Sequence, residues 1–326
     1  MTNYNIKSKV VGVDISNECT TYALVDIRGN ILCKDQFRTA DYPDANQFVG
    51  KLADCILSMA DSNGGFDAIR SIGISSPSAN FVSGSIENAA NLPWKGIVPL
   101  TAMLRDCLGV AVALGNDAHT TAIGEMIYGS AHGMNDFIVI NLGVGLGSCF
   151  FSSGREHQGF GGYAGEFGHT CIEEHGRPCT CGLEGCLESY CAARGIVQTA
   201  NELMAESDVP SLMRDQDELS PAVITDCCEQ GDQLAIEAYR RTGHILGRGL
   251  ATYASLVNPE AIIITGGVSH AGHWLMDAAE ESFESHVFRN MRGKVKLLLS
   301  LLDDRERDVL GASALAWIVP EYSLFK

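Results

Sequence analysis

The sequence predicts an α/β protein of two domains. Predicted strands and helices alternate along its 326 residues, a length sufficient for two domains with separate hydrophobic cores. A strand–turn–strand pattern occurs twice, at residues 10–26 and 137–152, which indicates two related halves. We therefore expect two mixed sheets covered by helices, with one hairpin of each half facing a shared cleft.

Apolar periodicity and turn residues predict the elements of the first half. Short apolar runs indicate strands, and an Arg28-Gly29-Asn30 turn separates two of them. The predicted strands are Val10–Asp14, Thr20–Asp26, Ile31–Thr39, Ile69–Ile74 and Val110–Leu114. Apolar residues at helical spacing predict helices at Ala45–Ser62 and Thr101–Leu108, with a long loop through Pro77 and Pro93 between them.

The second half repeats this pattern from Asn116 onward. A predicted helix at Ala118–Ile127 precedes strands at Phe137–Leu142 and Ser148–Ser152, which a glycine turn joins. The later elements are helices at 193–205, 233–257 and Gly311–Ile318 and a buried strand at Ala261–Thr265. The expected domains are a smaller one at 1–116, joined by a C-terminal helix at 305–326, and a larger one at 117–304.

Charge and composition argue against several classes of function. The net charge of −17 repels nucleic acid, so we expect no direct nucleic-acid binding. Nine residues precede the first predicted strand, too few for a helix-turn-helix domain ahead of it. No apolar run is long enough to span a membrane, and the N-terminus lacks an apolar signal segment. We therefore expect a cytoplasmic protein without membrane contact.

The densest motif lies at residues 165–189 and reads GEFGHTCIEEHGRPCTCGLEGCLES. Cys179, Cys181 and Cys186 have the spacing C-x-C-x4-C, and His169 precedes them by ten residues. Three thiolates and one imidazole are a typical ligand set of structural zinc, which the motif therefore predicts. Three further residues compete as ligands: Cys171, His175 and Cys191.

Glycines and carboxylates are interleaved with these ligands. Gly182 and Gly185 permit the loop to fold around a metal ion. Glu166 lies three residues before the first predicted ligand, and Glu188 lies two residues after the last one. A metal-pinned loop presents both carboxylates rigidly, where they accept hydrogen bonds from the hydroxyls of a sugar. The alternative for each is an ordinary solvated surface residue.

Two glycine turns and one strand-to-helix junction carry the remaining candidates. The turn NLGVGLGS at 141–148 leads into a strand, so it is a hairpin able to wrap phosphate oxygens, or a plain turn, rather than a dinucleotide fingerprint. The segment ITGGVS at 264–269 ends a strand in two glycines, which either approach an adenosine or merely turn. Asn116 and Asp117 start a helix, where Asp117 is either an N-cap or a functional carboxylate.

Together these motifs resemble the ROK family of repressors, open reading frames and kinases over essentially the whole chain. The block GE-x-GH…C-x-C-G-x-x-G-C-x-E is highly specific to that family and stands here without a gap. The resemblance implies a two-domain, actin-like and ribonuclease-H-like fold, with ATP and a sugar in the central cleft. It also implies a structural zinc ion, Mg²⁺ and ATP for an active kinase, and a homodimer or homotetramer.

The resemblance implies roles for individual residues. Asp117 would be the general base on the accepting hydroxyl, usually the 6-OH, and His169 would bind zinc with one ring nitrogen and the sugar with the other. Asp14 would position Mg²⁺ and phosphate oxygens. The implied sugar contacts are Asn91, Asn116, Asp117, Glu166, His169 and Glu188. The implied nucleotide and phosphate contacts are Asp14, Ser16, Asn17, Gly143, Val144, Gly145, Gly266 and Gly267.

The nucleotide side of this chain departs from the family pattern. The first hairpin of the family reads Asp-Ile-Gly-Gly-Thr-Lys, whereas this chain reads Asp-Ile-Ser-Asn-Glu-Cys, with Glu18 in place of the phosphate-binding threonine. Val144 replaces the threonine of the second hairpin, Gly-Thr-Gly. The loop from Pro77 to Asn80 also departs from the usual Pro-Gly-Pro form. The sugar and zinc residues, in contrast, are complete.

These observations predict two alternative functions. The first is an ATP-dependent kinase that phosphorylates a hexose or hexosamine, with Asp117 as base and an atypical nucleotide site. The second is a sugar-binding, kinase-like sensor or regulator with little or no kinase activity, which Glu18 and Val144 favour. A DNA-binding repressor is a third hypothesis, disfavoured by the charge and by the short N-terminal segment. The complete sugar side favours the kinase.

Overall fold

The computed structural model describes residues 7–89, 91–160 and 163–319 and contains two five-stranded sheets. The chain divides into two units, each with one of these sheets. The first unit comprises the described residues up to His132 together with those from Leu301 onward, and the second comprises Gly133–Ser300. The predicted α/β fold class is confirmed.

The strands and helices alternate, as the sequence predicts. The strands are β1 (Lys9–Ile15), β2 (Cys19–Asp26), β3 (Ile31–Arg38), β4 (Ile69–Ser75), β5 (Ala79–Asn80), β6 (Ser85–Glu87), β7 (Ile97–Val98), β8 (Ala111–Gly115), β9 (Phe137–Leu142), β10 (Leu146–Ser152), β11 (Arg155–Glu156), β12 (Ala261–Thr265) and β13 (Lys296–Leu299). The helices are α1 (Ala45–Asp61), α2 (Leu100–Leu108), α3 (Asp117–Ile127), α4 (Glu188–Cys191), α5 (Ala193–Glu206), α6 (Pro221–Glu229), α7 (Gln233–Val257), α8 (His273–His286) and α9 (Asp304–Ile318).

The two large sheets have the same topology. In the first unit the strand order is β3-β2-β1-β4-β8, and in the second it is β11-β10-β9-β12-β13. In each sheet the first three strands are antiparallel neighbours, and the last two continue in parallel. The repeated strand–turn–strand pattern of the sequence therefore marks two equivalent hairpins, β1–β2 and β9–β10.

Helix α9 packs directly on the sheet of the first unit. A Cβ atom on Gly12 in β1 would lie 2.1 Å from the Val309 carbonyl oxygen, and one on Gly73 in β4 would lie 1.9 Å from that of Ala312. Side chains never approach a backbone atom so closely, so only glycine permits this contact. The close approach makes the last helix part of the first unit.

The start of the last helix and the unit that contains α3 differ from those predicted. The prediction that the last helix begins at Gly311 is wrong, because α9 begins at Asp304 with the Asp303 carboxylate as its N-cap. The part of the expected helix beyond 319 lies outside the described residues. Helix α3, expected in the larger domain, contacts α9 in the first unit. The domain boundaries at 116 and 304 stay a prediction.

Several elements have no counterpart in the predictions. The long loop through Pro77 and Pro93 contains a small antiparallel sheet of order β5-β6-β7. In the second unit, α8 packs along α7, where a Cβ on Gly247 would lie 2.2 Å from the Ala279 carbonyl oxygen. These elements enlarge the cores around sheets whose central strands the sequence does predict.

Each unit has a hydrophobic core of its own. The core of the first unit surrounds buried residues such as Leu52 and Ile72, and that of the second surrounds Tyr239 and Phe283. Two independent cores agree with a chain long enough for two domains. In the portion of the chain that the structure describes, no helix combines the length and the apolarity needed to cross a membrane.

Candidate functional site

Three carboxylates from separate elements form an acidic cluster in the first unit. Asp14 lies in β1, Asp117 is the first residue of α3, and Asp308 lies in α9. Burial raises the pKa of Asp14 to about 7, and the charges of Asp308 and Asp117 add to the shift. A hydrogen bond from Ser75 and the charge of Arg307 oppose it. The acidic cluster is therefore short of positive charge and favours a proton or a cation.

Asp308 is the member of this cluster that the sequence does not predict. It ends the charged run DDRERD, a pattern typical of a solvated helix face. Arg307 is nearly buried and pairs with Asp304 at 2.5 Å and with Asp308 at 3.3 Å. The sequence offers one signal: Asp308 stands three residues before Gly311, so the two lie on one side of the helix, and Gly311 meets α3 at Thr120.

Asn116 and Asp117 have different roles at the start of α3. Asn116 is the N-cap, since its Oδ1 accepts the N–H of His119 at 2.7 Å. The alternative that Asp117 is the N-cap is therefore wrong. The Asp117 carboxylate is exposed and accepts the neighbouring N–H of Ala118 at 2.9 Å. Asn116 retains its amide NH₂ for a ligand, and Asp117 retains most of its acceptor capacity.

Asn91 lies in an exposed bend of the first unit. Trp94 anchors this bend, because its indole N–H donates to the Tyr42 carbonyl at 3.0 Å and its ring packs on Phe48 with centroids 4.4 Å apart. In the neighbouring loop, Asn80 accepts the N–H of Val82 and so stabilises its own turn. The structure thus holds Asn91 at the surface.

The turn of the first hairpin, Ser16–Glu18, uses its own side chain to close. The Ser16 hydroxyl donates to the Cys19 carbonyl at 2.9 Å and accepts the Cys19 N–H at 3.2 Å. Asn17 and Glu18 are exposed at the tip. Thr20 is buried and shares a hydrogen bond with Thr39 at 2.9 Å, so it does not replace the hydroxyl that Glu18 lacks.

The turn of the second hairpin consists of Gly143, Val144 and Gly145. The Gly143 N–H donates to the Gly145 carbonyl at 2.9 Å, and the Val144 side chain at the tip is 85% exposed. A Cβ on Gly145 would lie 2.8 Å from Oε2 of Glu188, so glycine permits this carboxylate to approach the hairpin. An exposed apolar side chain at such a turn offers no hydrogen bond to a phosphate.

Gly266 and Gly267 follow β12, the parallel neighbour of β9. Both strands end at the same edge, with Thr265 opposite Asn141. Gly266 has a φ of 91°, and a Cβ there would lie 2.5 Å from the Leu142 carbonyl oxygen. Gly267 faces open space. The structure therefore brings these glycines close to the second hairpin, within the second unit.

The four predicted zinc ligands come together in the second unit. The Cys179 thiol lies 3.7 Å from Nδ1 of His169, and the Cys181 and Cys186 sulfurs lie 3.7 Å apart. All four ligand atoms lie within 4.8 Å of one another. A zinc ion with sulfur ligands at about 2.3 Å in tetrahedral geometry separates them by about 3.8 Å. The loop therefore fits zinc, although the metal itself stays a prediction.

The competing ligands lie outside this group of four. Cys171 is exposed and pairs through its backbone with Cys186. Cys191 is buried with its thiol 3.9 Å from the Thr242 carbonyl, and burial raises its pKa well above the ordinary value. His175 is exposed beside Glu174. Gly182 and Gly185 have φ angles of 91° and 72°, as tight loop closure requires.

The charge balance of the loop also favours a cation. Burial, and then the neighbouring thiols, raise the pKa of Cys186 to about 12. A backbone hydrogen bond from Leu183 is the largest contribution that lowers the pKa of Cys181. Thiols bind zinc as thiolates, and burial disfavours the negatively charged thiolate of Cys186. The positive charge of a bound cation would stabilise that thiolate.

Glu188 connects the predicted metal loop, residues 169–186, to the second hairpin. Its Oε2 accepts the Leu146 N–H at 2.9 Å, and its Oε1 lies 3.7 Å from the Cys179 thiol. His169 directs Nδ1 toward the same thiol, so Nε2 is the nitrogen on the other side of the ring. Glu166 is exposed on the adjoining turn, and its carbonyl accepts the His169 N–H. The structure thus groups Glu188 and His169 around Cys179.

Comparison with known proteins places this geometry among related chains. The sequence model of the ROK family matches residues 10–318. A glucokinase of Halalkalibacterium halodurans is 29% identical over 95% of this chain and 94% of its own length. A xylose repressor of Caldicellulosiruptor bescii is 26% identical over 94% of this chain and 77% of its own length. The crystal structure of a ROK family glucokinase from Streptomyces griseus, in complex with glucose and AMPPNP, is 29% identical, with a TM-score of 0.75 and coverage of 95% and 99%.

Proposed function

Because the chain belongs to the ROK family, we propose that it is a carbohydrate kinase that transfers a phosphoryl group from ATP to a hydroxyl of a hexose or hexosamine. Similar chains include a glucokinase and a xylose repressor, so membership alone supports both an enzyme and a regulator. The side chains of the candidate site favour the enzyme.

The observation that carries the proposal is the exposed Asp117 carboxylate beside Asp14. The Asn116 cap fixes the first turn of α3, so the position of Asp117 is defined by the backbone. A carboxylate held in this way accepts the proton of a sugar hydroxyl, usually the 6-OH, as a general base. A protein that only binds sugar has no need of the additional carboxylates of the acidic cluster.

Asp14 fits the second requirement of phosphoryl transfer. Carboxylate oxygens are preferred ligands of Mg²⁺, which neutralises charge on the transferring phosphates when it is bound. The raised pKa of Asp14 agrees with a group that lacks a cation partner. Asp308, held by Arg307, adds a third carboxylate to the same cluster.

The second unit supplies groups that suit a hydroxyl-rich ligand. His169, Glu166 and Glu188 offer hydrogen-bonding atoms on or beside the metal loop. Zinc held by His169, Cys179, Cys181 and Cys186 would fix that loop and orient the side chains rather than polarise the substrate. In the first unit, Asn91 and Asn116 carry side-chain amides that suit the same class of ligand.

The second candidate is a sugar-binding regulator with little or no turnover. Glu18 is exposed at the first hairpin, where its carboxylate would repel a phosphate, and Val144 at the second hairpin has no hydroxyl. This candidate keeps the sugar contacts and the zinc loop but loses nucleotide binding. The two candidates therefore differ in one measurable property, the affinity for ATP.

Calorimetry followed by a coupled kinase assay tests the proposal. Purified protein is titrated with Mg-ATP and, separately, with glucose, allose, mannose, fructose and N-acylated hexosamines. A kinase binds Mg-ATP and one of these sugars, and it converts them to ADP and a sugar phosphate. Clear sugar binding without ATP binding at millimolar concentration would reject the kinase and leave the regulator.

A further inference from the structure

Two neighbouring cavities in the second unit share Arg194 and Gln198. The smaller cavity has a volume of about 240 Å³ and lies between the tip of the second hairpin, the metal loop and Glu188. The larger cavity has a volume of about 770 Å³ and continues along α5 as far as Pro221. Binding sites for small organic ligands commonly have volumes of about 300–1,000 Å³. Arg194, in the first turn of α5, is common to both.

Arg194 is the only lysine or arginine among the described residues that line the two cavities. Each cavity contains one carboxylate, and both carboxylates already have partners. Glu188 accepts the Leu146 N–H, and Glu202 pairs with Arg177 at 2.5 Å. Arg194 itself is an exposed residue. Arg194 thus places a positive charge at the lining of both cavities, in a chain whose net charge is −17.

The backbone beside Arg194 also favours an anion. Helix α5 begins after Ala192, and no side chain caps its N-terminus. The Ala193 N–H donates to the Gly143 carbonyl at 3.0 Å, which ties the start of the helix to the glycine turn. The first-turn amides of a helix carry partial positive charge and need acceptors, which a capping side chain normally provides. Alanine provides none, so this end of α5 suits a phosphate.

The two hairpins themselves offer few side-chain donors to a phosphate. The Ser16 hydroxyl closes its own turn, Glu18 is a carboxylate, and Val144 is apolar. A phosphoryl donor therefore needs a cation from elsewhere in the chain. An arginine that borders the glycine turn and the helix N-terminus has the right chemistry, since a guanidinium binds phosphate oxygens with two parallel hydrogen bonds.

We propose that Arg194 binds the phosphates of the phosphoryl donor and replaces the hydroxyl contacts that the two hairpins lack. This inference rests on the proposed kinase function and assigns a residue to its nucleotide side. The phosphate chain would lie beside Gly143–Gly145 in the smaller cavity. The rest of the donor would extend into the larger cavity along α5.

Binding measurements on three variants test this assignment. Arg194→Ala, Arg194→Lys and the control Arg289→Ala, an exposed arginine that lines neither cavity, are compared with the wild type. Each is titrated with Mg-ATP, inorganic tripolyphosphate and adenosine. We expect Arg194→Ala to weaken ATP and tripolyphosphate binding about tenfold to a hundredfold, and Arg194→Lys to weaken it less. Adenosine and sugar affinities, and all affinities of Arg289→Ala, should stay at the wild-type values.

The outcomes separate this assignment from the proposed function. If the wild type binds ATP and turns it over while Arg194→Ala binds ATP and tripolyphosphate equally well, the assignment is wrong and the kinase stands. If the wild type binds tripolyphosphate through Arg194 but has no kinase activity, the assignment stands and the kinase is wrong. If the wild type binds neither ATP nor tripolyphosphate, both are wrong. An equal loss of adenosine affinity would make Arg194 a nucleoside contact and overturn its phosphate role.

Discussion

The two hairpins of this protein have the same place in equivalent sheets but different chemistry. Hairpin β1–β2 closes through the Ser16 hydroxyl and presents Glu18, and its unit contains the acidic cluster of Asp14, Asp117 and Asp308. Hairpin β9–β10 closes through glycine backbone and lies beside the metal loop and Arg194. Repeated topology thus fixes where a turn lies, whereas the residues at its tip decide what it binds.

This contrast indicates that the two units contribute different functional groups. Carboxylates that accept a proton or hold a cation belong to the first unit, and the cation and the glycine turn that suit phosphate belong to the second. Four predictions test the roles assigned to the two units, in order of decreasing expected effect.

The largest effect is expected at the acidic cluster. Asp117→Asn removes the proposed base with little change in shape, so kcat should fall by about 10²–10⁴-fold while the affinities for sugar and ATP change little. A coupled assay and calorimetry measure the two quantities. The control Asp54→Asn removes an exposed carboxylate of α1 and should leave kcat unchanged. A parallel fall in sugar affinity would make Asp117 a binding residue instead of a base.

The next largest effect is expected at the metal loop. Cys186→Ser removes a buried residue of the predicted zinc set, so bound zinc should fall well below one equivalent. Sugar affinity should fall about tenfold to a hundredfold, because Glu188 and His169 lose their support. Elemental analysis and sugar titration measure both. Cys107→Ser, at an exposed thiol in α2, is the control. Unchanged sugar affinity in zinc-free protein would mean that the metal loop does not support sugar binding.

The third prediction concerns the pH dependence of stability. The folded pKa of Asp14, about 7, exceeds the ordinary value of 3.8, so the folded state binds this proton more tightly. That contribution to stability is present below about pH 4 and is lost as the pH rises toward 7. Asp14→Asn has no carboxyl group to ionise, so it should not lose stability in this way as the pH rises. At pH 8 its free energy of unfolding should exceed that of the wild type by on the order of 1–3 kcal/mol.

Urea unfolding at intervals from about pH 4 to pH 8 measures this difference. Asp54→Asn, which removes an exposed carboxylate of α1, should follow the wild-type curve at every pH. Curves for Asp14→Asn and wild type that stay parallel across the range would mean that Asp14 titrates in the folded protein as it does in the unfolded chain.

The smallest effects are expected at the hairpin tips. Glu18→Thr and Val144→Thr each introduce a hydroxyl, so each should strengthen ATP binding by a few fold, the value of one added hydrogen bond. Glu18→Gln is the matched control, since it removes the charge without adding the short hydroxyl side chain. If Glu18→Gln improves affinity as much as Glu18→Thr, repulsion rather than a missing hydroxyl is the obstacle. No change in any variant would exclude both hairpin tips from the phosphate site.

The sequence predicts the elements with strong periodicity or distinctive turns. Strands β1, β2, β9 and β12 are nearly continuous apolar runs, and the metal loop has a spacing that few other sites share. Strands of two or three residues, such as β5 and β6, show no period, so the sequence does not predict them. The helix predicted from the sequence is shorter than α9 because the first turn of α9 is entirely charged. This charge conceals a helix face that meets α3.

The side-chain roles were harder to predict than the positions. Asn116 and Asp117 adjoin each other, and only the backbone geometry shows which of them caps α3. Thr20 follows the first turn closely in sequence, but its burial shows that it does not serve the tip. Arg194 carries no motif of its own and gains its significance from the cavities around it. Such roles depend on tertiary contacts, which a single sequence does not record.

The contact of α9 with Gly12 and Gly73 also sets an order of events during synthesis. The first unit is complete only after residues 133–300 have been translated, whereas the second unit is one continuous stretch. At about 5–20 residues per second, strands β1 and β4 are made roughly ten to sixty seconds before the helix that covers them. During that interval the second unit can fold on the ribosome, and the bare sheet of the first unit is open to chaperones and to misassembly.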